Sequence, residues 1–330
     1  VLHQDMCRVV ATADVDINRA KDAKKLIEDL YKKKTGSDNY VDVKVYQDYR
    51  QMLRNESIDA VVISTPDHWH ARPAIEAALL GKEVYLQKPT SLTIEEGRIL
   101  SDTIRRTGTI FQLGSQQRSV SPWPQFKQVC ELVRNGALGE LKHIEIGLPS
   151  DPAGENWGKM PVPDNLDYEM WLGSTPEVYY TEKRVHPQDG YSRPGWLRCE
   201  QFGAGMITGW GAHHVDIAHW GMGTEYTGPI EIEGSASFPE SGLWDVHGAY
   251  DVSSKYANGV TMNISNEHPN GVRFKGEKGW IFVSRGNVSV TDSDPVSGDP
   301  KAKPLMVSDA KILKFDPGAN RIKLYESPNI

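Results

Sequence analysis

The chain has 330 residues, 38% of them hydrophobic, and a formal net charge of −7 at pH 7. With a mean hydropathy of −0.50 and a pI near 5.8, it is long enough for two cores, has no stretch apolar enough to span a bilayer, and has no basic excess to attract nucleic acid. Three cysteines, Cys7, Cys130 and Cys199, are odd in number and far apart, which argues against a disulfide framework and a cysteine-built zinc site.

Arg8 to Ala13 reads as a strand with Asp14 at its end, followed by a helix whose Ala20, Ala23, Ile27, Leu30 and Tyr31 recur at helical spacing. An acidic residue in this place can accept hydrogen bonds from adenosine ribose hydroxyls and repel a 2′-phosphate, favouring NAD over NADP. Asp14 or Asp16 can equally cap the helix, and position alone leaves both readings open. Lys32 to Lys34 complement the helix dipole at its far end. Lys44 to Tyr46 is a short strand and Asp48 to Asn55 a short helix.

Ile58 to Leu100 alternates strand and helix. Ala60 to Ile63 is a continuous apolar run suited to a parallel strand buried on both faces, ending in Ser64-Thr65-Pro66. Ala71 to Leu80 is a helix stopped by Gly81, and Glu83 to Leu86 is a strand with Gln87-Lys88-Pro89 at its carboxyl end. Thr93 and Glu96 have capping-box spacing at the next helix start. Ligands of open α/β sheets bind at the carboxyl ends of strands, so Thr65-Pro66-Asp67-His68-Trp69-His70 and Gln87-Lys88-Pro89 should line one crevice. A lysine in such a crevice can lose its charge and hydrogen-bond a substrate hydroxyl; the alternative is a solvated lysine. Taken alone, His68 and His70 are more often surface or helix-capping residues than ligands.

Ile110 to Leu113 is a further strand, followed by Gly114, Gln116 and Arg118. After a helix from Trp123 to Asn135 and a turn at Gly136 to Gly139, Lys142 to Leu148 begins a different architecture. The expected division is therefore 1–140 and 141–330, an α/β Rossmann-type parallel sheet domain followed by an α+β domain with a large, mainly antiparallel sheet. Asp151 to Trp196 reads as a loop system lining a pocket, with Pro161 to Gly173 a docked segment holding a short helix. Arg184, His186, Tyr191, Arg193 and Trp196 offer donors and aromatic faces suited to a polyhydroxylated ring, although loop tryptophans often only pack. Gly205 to Met222 reads as one helix. The remainder alternates strands and turns at Ile230 to Phe238, Val246 to Tyr256, Val260 to Ile264, Val272 to Gly276, Trp280 to Val283 and Val288 to Thr291, with a polar, proline-containing loop from Asp292 to Pro304.

Thr65-Pro66-x-x-x-His70 followed by Lys88-Pro89 resembles the Gfo/Idh/MocA oxidoreductases, named for glucose-fructose oxidoreductase and inositol dehydrogenase, and PDHWH resembles one bacterial branch. The likeness extends through LGSQQRS, GALGELKHIEIG and GMITGWGAHHVDIAHW and covers most of the chain up to Asn287. It implies an NAD-dependent oxidoreductase acting on a hydroxyl or keto group of a sugar or sugar derivative. Asp14 then binds ribose; Ser64, Thr65, Pro66, Trp69, His70, Gln87, Lys88 and Gln116 line the cofactor pocket; Arg118, Arg184, His186, Tyr191, Trp196 and His213 meet the substrate; and Lys88 with His213 is catalytic. It implies a homo-oligomer assembled through the second domain's sheet, a first strand and glycine-rich turn before Val1, and a final helical segment after Ser327-Pro328-Asn329. Cytoplasm and periplasm both fit.

The sequence departs from the family pattern twice. Gln87 stands where Glu-Lys-Pro has its glutamate, which removes an anionic neighbour of Lys88. Gly209 stands where Asp-x-x-x-His has its aspartate, leaving Asp216 or a loop residue as possible orienters of His213, with His214 on another face. Three rival readings follow: a glycoside-cleaving enzyme that oxidises its substrate transiently; a metal-dependent hydrolase or lyase built on His68, His70, His186, His213, His214 and Asp67; and a non-catalytic sugar-binding protein.

Overall fold

The computed structural model describes residues 7–37, 39–55, 57–288 and 303–325. They form two compact units, Val1–Leu113 with Gly158–Thr181, and Gly114–Trp157 with Glu182–Ile330. The expected break at 140/141 differs because the helix before it shares its core with the sheet after it, and because Gly158–Thr181 returns to the first unit.

In the first unit β1 (Ala11–Ala13) pairs in parallel with β2 (Lys44–Tyr46), and β3 (Ala60–Ile63) lies beside β4 (Glu83–Gln87), which lies beside β5 (Phe111–Gly114). In the doubly wound order 3-2-1-4-5-6, runs of two and three strands likewise flank the first strand. The crossovers are α1 (Ile17–Thr35), α2 (Tyr49–Leu53), α3 (Ala71–Leu79) and α4 (Ile94–Thr107). α1 begins where the Asp16 carboxylate accepts from Asn18 N and ends at Gly36, whose φ of 67° suits glycine. α4 begins with the expected capping box of Thr93 and Glu96.

β3 is not buried on both faces. Val61 and Ile63 pack with Leu53, Ala74, Ala77, Val84 and Leu100, whereas Val62 remains 55% exposed, because among the described residues the helical packing lies on one side of this strand. The returning segment carries the expected short helix, α6 (Tyr168–Leu172). It docks through backbone bonds Ile17 N to Asn165 O at 3.0 Å and Asp167 N to Val15 O at 3.0 Å.

In the second unit α5 (Pro124–Arg134), α7 (Gly205–Gly209) and α8 (Gly211–Met222) accompany β6 (Leu141–Gly147), β7 (Glu231–Ala236), β8 (Tyr250–Lys255), β9 (Thr261–Ser265), β10 (Gly271–Gly276), β11 (Gly279–Val283) and β12 (Leu305–Val307). Their sheet order is β12-β11-β10-β6-β9-β8-β7, with every pair antiparallel except β6–β9. Trp123, Phe126, Val129 and Cys130 from the α5 region meet Ile144, Ile146, Val272, Phe274 and Ile281 of the sheet and Ile217 of α8 in one core. α8 lies so close to the sheet that a Cβ on Gly221 would come within 2.6 Å of the Phe274 ring.

Three sequence expectations change here. The helix over 205–222 is broken at Trp210 into α7 and α8. The strand expected from Val246 begins only at Tyr250, since residues 246–249 join through loop bonds instead. β12 was not anticipated, being three residues beyond a polar stretch. The expected strand at Val288 to Thr291 and the loop from Asp292 lie largely outside the described residues.

Candidate active site

The first unit gathers its candidate residues at strand carboxyl ends: Asp14 follows β1, Ser64 to Pro66 follow β3, and Gln87 ends β4 with Lys88 next. Of the two carboxylates open to the capping role, Asp16 takes it and also accepts from Asn165 Nδ2 at 2.7 Å. Asp14 receives the Asp16 N–H at 2.8 Å on one carboxylate oxygen, leaving the other for a ligand. Burial pushes the Asp14 pKa up to about 6, the bond from Asp16 N working against it.

Lys88 is fixed through the peptide groups around it. Gln87 Oε1 accepts from Lys88 N at 2.8 Å, a bond that glutamate could also make. On the other side the His70 ring bonds the Pro89 carbonyl. A carbonyl only accepts, so His70 carries its proton on Nδ1. His70 is 1% exposed, and its Nε2 is buried without a hydrogen-bond partner. Burial, aided by the charge of Lys88 and opposed by the bond to Pro89, pushes its pKa down to about 4. His70 is therefore neutral near pH 7 and adds no second positive charge beside Lys88.

Trp69 and His68 share a contact that the sequence does not signal. Trp69 Nε1 donates to Trp171 O at 2.9 Å and His68 Nε2 meets the same carbonyl at 2.8 Å, so both fasten the returning segment. Gly173 is pressed against the Trp69 indole, where a Cβ would lie 2.5 Å from the ring. Thr65 Oγ1 donates to Trp69 O at 2.8 Å and closes the 3-10 turn Asp67–Trp69.

In the second unit Gln116 and Arg118 belong to the 3-10 turn Gln116–Arg118. Arg118 grips Asp216 of α8 with two bonds of 2.7 Å and lies 5.1 Å from the Trp220 ring centre. This corrects the expectation of Asp216 as an orienter of His213: its carboxylate is committed to Arg118. It also holds Arg118 in a structural pair. His213 is 5% exposed and meets the Trp210 ring edge-on at 5.2 Å. At Gly209 a Cβ would meet nothing within 4 Å, so the glycine answers no local crowding.

Arg184 and His186 are buried, and Gln188 Nε2 lies 3.3 Å from His186 Nε2. Tyr191 is exposed and Trp196 half-buried. Arg193 and Arg198 approach the buried Asp151 at 4.0 and 3.5 Å, and Arg198 lies over Trp244 at 4.4 Å. Burial raises the Asp151 pKa despite these cations.

No local pattern in the sequence points to Gln117, Asn270 or Arg285, which form a buried network with His214. Their partners lie 56 to 168 residues away in the chain, and no local spacing signals such pairs. Among the described residues no group of three or more His, Cys, Asp or Glu is arranged to hold a metal ion. No helix there is long and apolar enough to cross a membrane.

Residues 2–115 match the family model of the Gfo/Idh/MocA oxidoreductases for the NAD-binding Rossmann fold, and residues 150–293 match that family's C-terminal α/β domain. The uncharacterized oxidoreductase YrbE of Bacillus subtilis is 24% identical over 280 residues, 84% of this chain and 68% of that protein. Glycosyl hydrolase family 109 protein 1 of Shewanella sp. ANA-3 is 38% identical over 97 residues, 29% of this chain and only 20% of that protein. Among solved structures, the WlbA dehydrogenase of Chromobacterium violaceum, in complex with NADH and UDP-GlcNAcA, superposes with a TM-score of 0.55 at 17% identity, covering 85% of this chain and 67% of that one. That last likeness concerns the fold.

Proposed function

The chain belongs to the Gfo/Idh/MocA oxidoreductase family, and from that premise we propose that it is an NAD-dependent dehydrogenase acting on a hydroxyl or keto group of a sugar or sugar derivative. The observation that carries the reading is Lys88, clamped at the carboxyl end of β4 by Gln87 on one side and His70 on the other, in the unit that matches an NAD-binding domain.

The residues present fit a dinucleotide. Asp14 has a carboxylate oxygen to offer ribose hydroxyls and would repel a 2′-phosphate, which favours NAD over NADP. His70 holds a bare, buried ring nitrogen next to the Lys88 turn. Ser64, Thr65, Pro66, Trp69, Gln87 and Gln116 complete the assigned cofactor residues. Bound NAD supplies hydride acceptance and return. Lys88 polarises the substrate oxygen, and His213 takes or returns the hydroxyl proton. Arg184, His186, Tyr191 and Trp196 are the assigned substrate contacts, with Arg118 a weaker candidate because of its pair with Asp216. Assembly through the second unit's sheet is the accompanying proposal for the oligomer.

Turnover with NAD across a panel of sugars and polyols tests this, with Lys88→Met as the decisive variant. It should lower kcat by about a thousandfold while NAD still binds by calorimetry; unchanged turnover would end the assignment. The stretch shared with the glycosyl hydrolase family 109 protein favours a second reading, glycoside cleavage through transient oxidation. Sugar release without net NADH would select it.

A further inference from the structure

We infer that Gln117 and Arg285 are positioning residues for His213, a role that rests on the proposed acid–base function of that histidine. The Arg285 guanidinium lies between two indoles, 3.9 Å from the Trp123 ring centre and 4.4 Å from that of Trp210. Its Nε donates to Gln117 Oε1 at 3.1 Å. Guanidinium can only donate, so this bond decides which end of the Gln117 amide is oxygen.

The amide nitrogen then faces two acceptors. Gln117 Nε2 reaches the His213 carbonyl at 3.3 Å and His214 Nδ1 at 3.2 Å. His214 Nδ1 must therefore be bare and its proton must sit on Nε2, which meets Asn270 Oδ1 at 2.9 Å. Trp210 Nε1 lies 3.2 Å from both His214 Nε2 and Asn270 Oδ1, and with Nε2 protonated its N–H donates to Asn270 Oδ1. The directions of all these bonds follow from two groups with no choice, a guanidinium that only donates and a backbone carbonyl that only accepts.

The network thus ties the first turn of α8, where His213 and His214 lie, to the Gln116–Arg118 turn and to the end of β11. Trp210, which breaks the helix, is held by the same network and faces the His213 ring. In place of a carboxylate four residues before the histidine, this chain secures His213 through its backbone and through its neighbour. The stacked guanidinium is integral to this, since an ammonium in its place would lack the planar fork.

Long-range nitrogen–proton NMR spectra of histidine-labelled protein at neutral pH test the network without a substrate. His214 should show Nδ1 unprotonated and Nε2 protonated. Asn270→Asp should preserve that tautomer, because a carboxylate there still accepts. Gln117→Glu should reverse it, because a carboxylate facing His214 needs a proton on Nδ1. Nδ1 protonated in the parent protein overturns the network even if the Glu variant fails to fold. So does Nδ1 left bare in a folded Glu variant.

The link to His213 is read separately. Its titration, followed in the same spectra, should shift in Gln117→Glu and stay put in Asn270→Asp. Where a carbohydrate turns over, kcat should fall about tenfold or more in Gln117→Glu, with KM changed less than about threefold. A reversed tautomer with unaltered His213 titration and kcat would overturn the positioning role. Absence of turnover in the parent protein would instead count against the oxidoreductase reading, and the nitrogen spectra would still decide the network.

Discussion

His70 in the first unit and His214 in the second are both buried and both pushed down to about 4, chiefly by burial, yet they are held in different ways. His70 is held by one backbone carbonyl, 19 residues away in an adjoining strand-end turn. His214 is held by side chains from the turn before α5 and the stretch before β10. A backbone acceptor is supplied by the fold whatever residue occupies the position. A side-chain network exists only if every member is present. The first unit should therefore tolerate replacement that keeps a single donor, whereas the second should respond wherever any member loses its donor or acceptor.

The largest expected effect is at His70. His70→Leu leaves the Pro89 carbonyl without its donor and should destabilise the first unit by about 1–3 kcal/mol. His70→Asn sets an amide N–H near the place of Nδ1–H and should recover most of that loss in denaturant melts. Equal losses in the two variants would show that ring packing, rather than the bond to Pro89, holds the turn.

Acid sharpens the same comparison. For each histidine the folded pKa is about 4 and the unfolded value is 6.5. Their stabilisation is full above about pH 6.5 and is lost as pH falls towards 4, by about 2 kcal/mol each at pH 5. Asp14 runs the other way. Its folded pKa of about 6 lies above the unfolded 3.8, so protonation favours its folded form and its contribution improves as pH falls through 6. In the first unit it offsets His70. In the second, Asp151 opposes His214 in the same direction as Asp14. Hydrogen exchange at pH 7 and pH 5 should show α8 losing protection with acid, and His214→Gln should flatten that loss; an α8 indifferent to pH would contradict the buried neutral state of His214.

A smaller effect is expected at Trp69. Trp69→Phe removes one of the two donors to Trp171 O and should cost about 1 kcal/mol. It should leave NAD affinity unchanged if the indole serves the returning segment. A clear loss of affinity would support the proposed place of Trp69 in the cofactor pocket.

What the sequence disclosed follows the same division. The parallel strands, the α4 capping box and the lysine at the end of β4 rest on apolar runs and short spacings, and they appear where expected. The Asp14 and Asp16 question needed the structure, because both carboxylates stand at cap-competent positions and only the third dimension brings Asn165 to one of them. The open face of Val62 was hidden because an apolar run reads the same whether one face or both are packed. Arg285 was invisible for a related reason: a guanidinium after a strand is ordinary in sequence, and the two tryptophans around it are distant in the chain.

Gly209 gives the smallest expected change in stability and tests whether the helix break has removed the four-residue relation to His213. A Cβ there meets nothing within 4 Å, so the first side-chain atom of Gly209→Asp introduces no clash. Aspartate is itself a poor helix former, so replacing the helical glycine gains less than about 0.5 kcal/mol, while a carboxylate in a buried position costs about 1–3 kcal/mol or more unless it finds a donor. Where it finds one, the net should be near zero. The informative quantity is the His213 titration. If α7 and α8 still present positions 209 and 213 to each other across Trp210, the new carboxylate should raise the His213 pKa by about one pH unit. If the break turns them apart, His213 will titrate as before, and the securing of that histidine will rest with the Gln117 network. In the first case Gly209→Asp should also soften the effect of Gln117→Glu on kcat, because a second orienter would share the work.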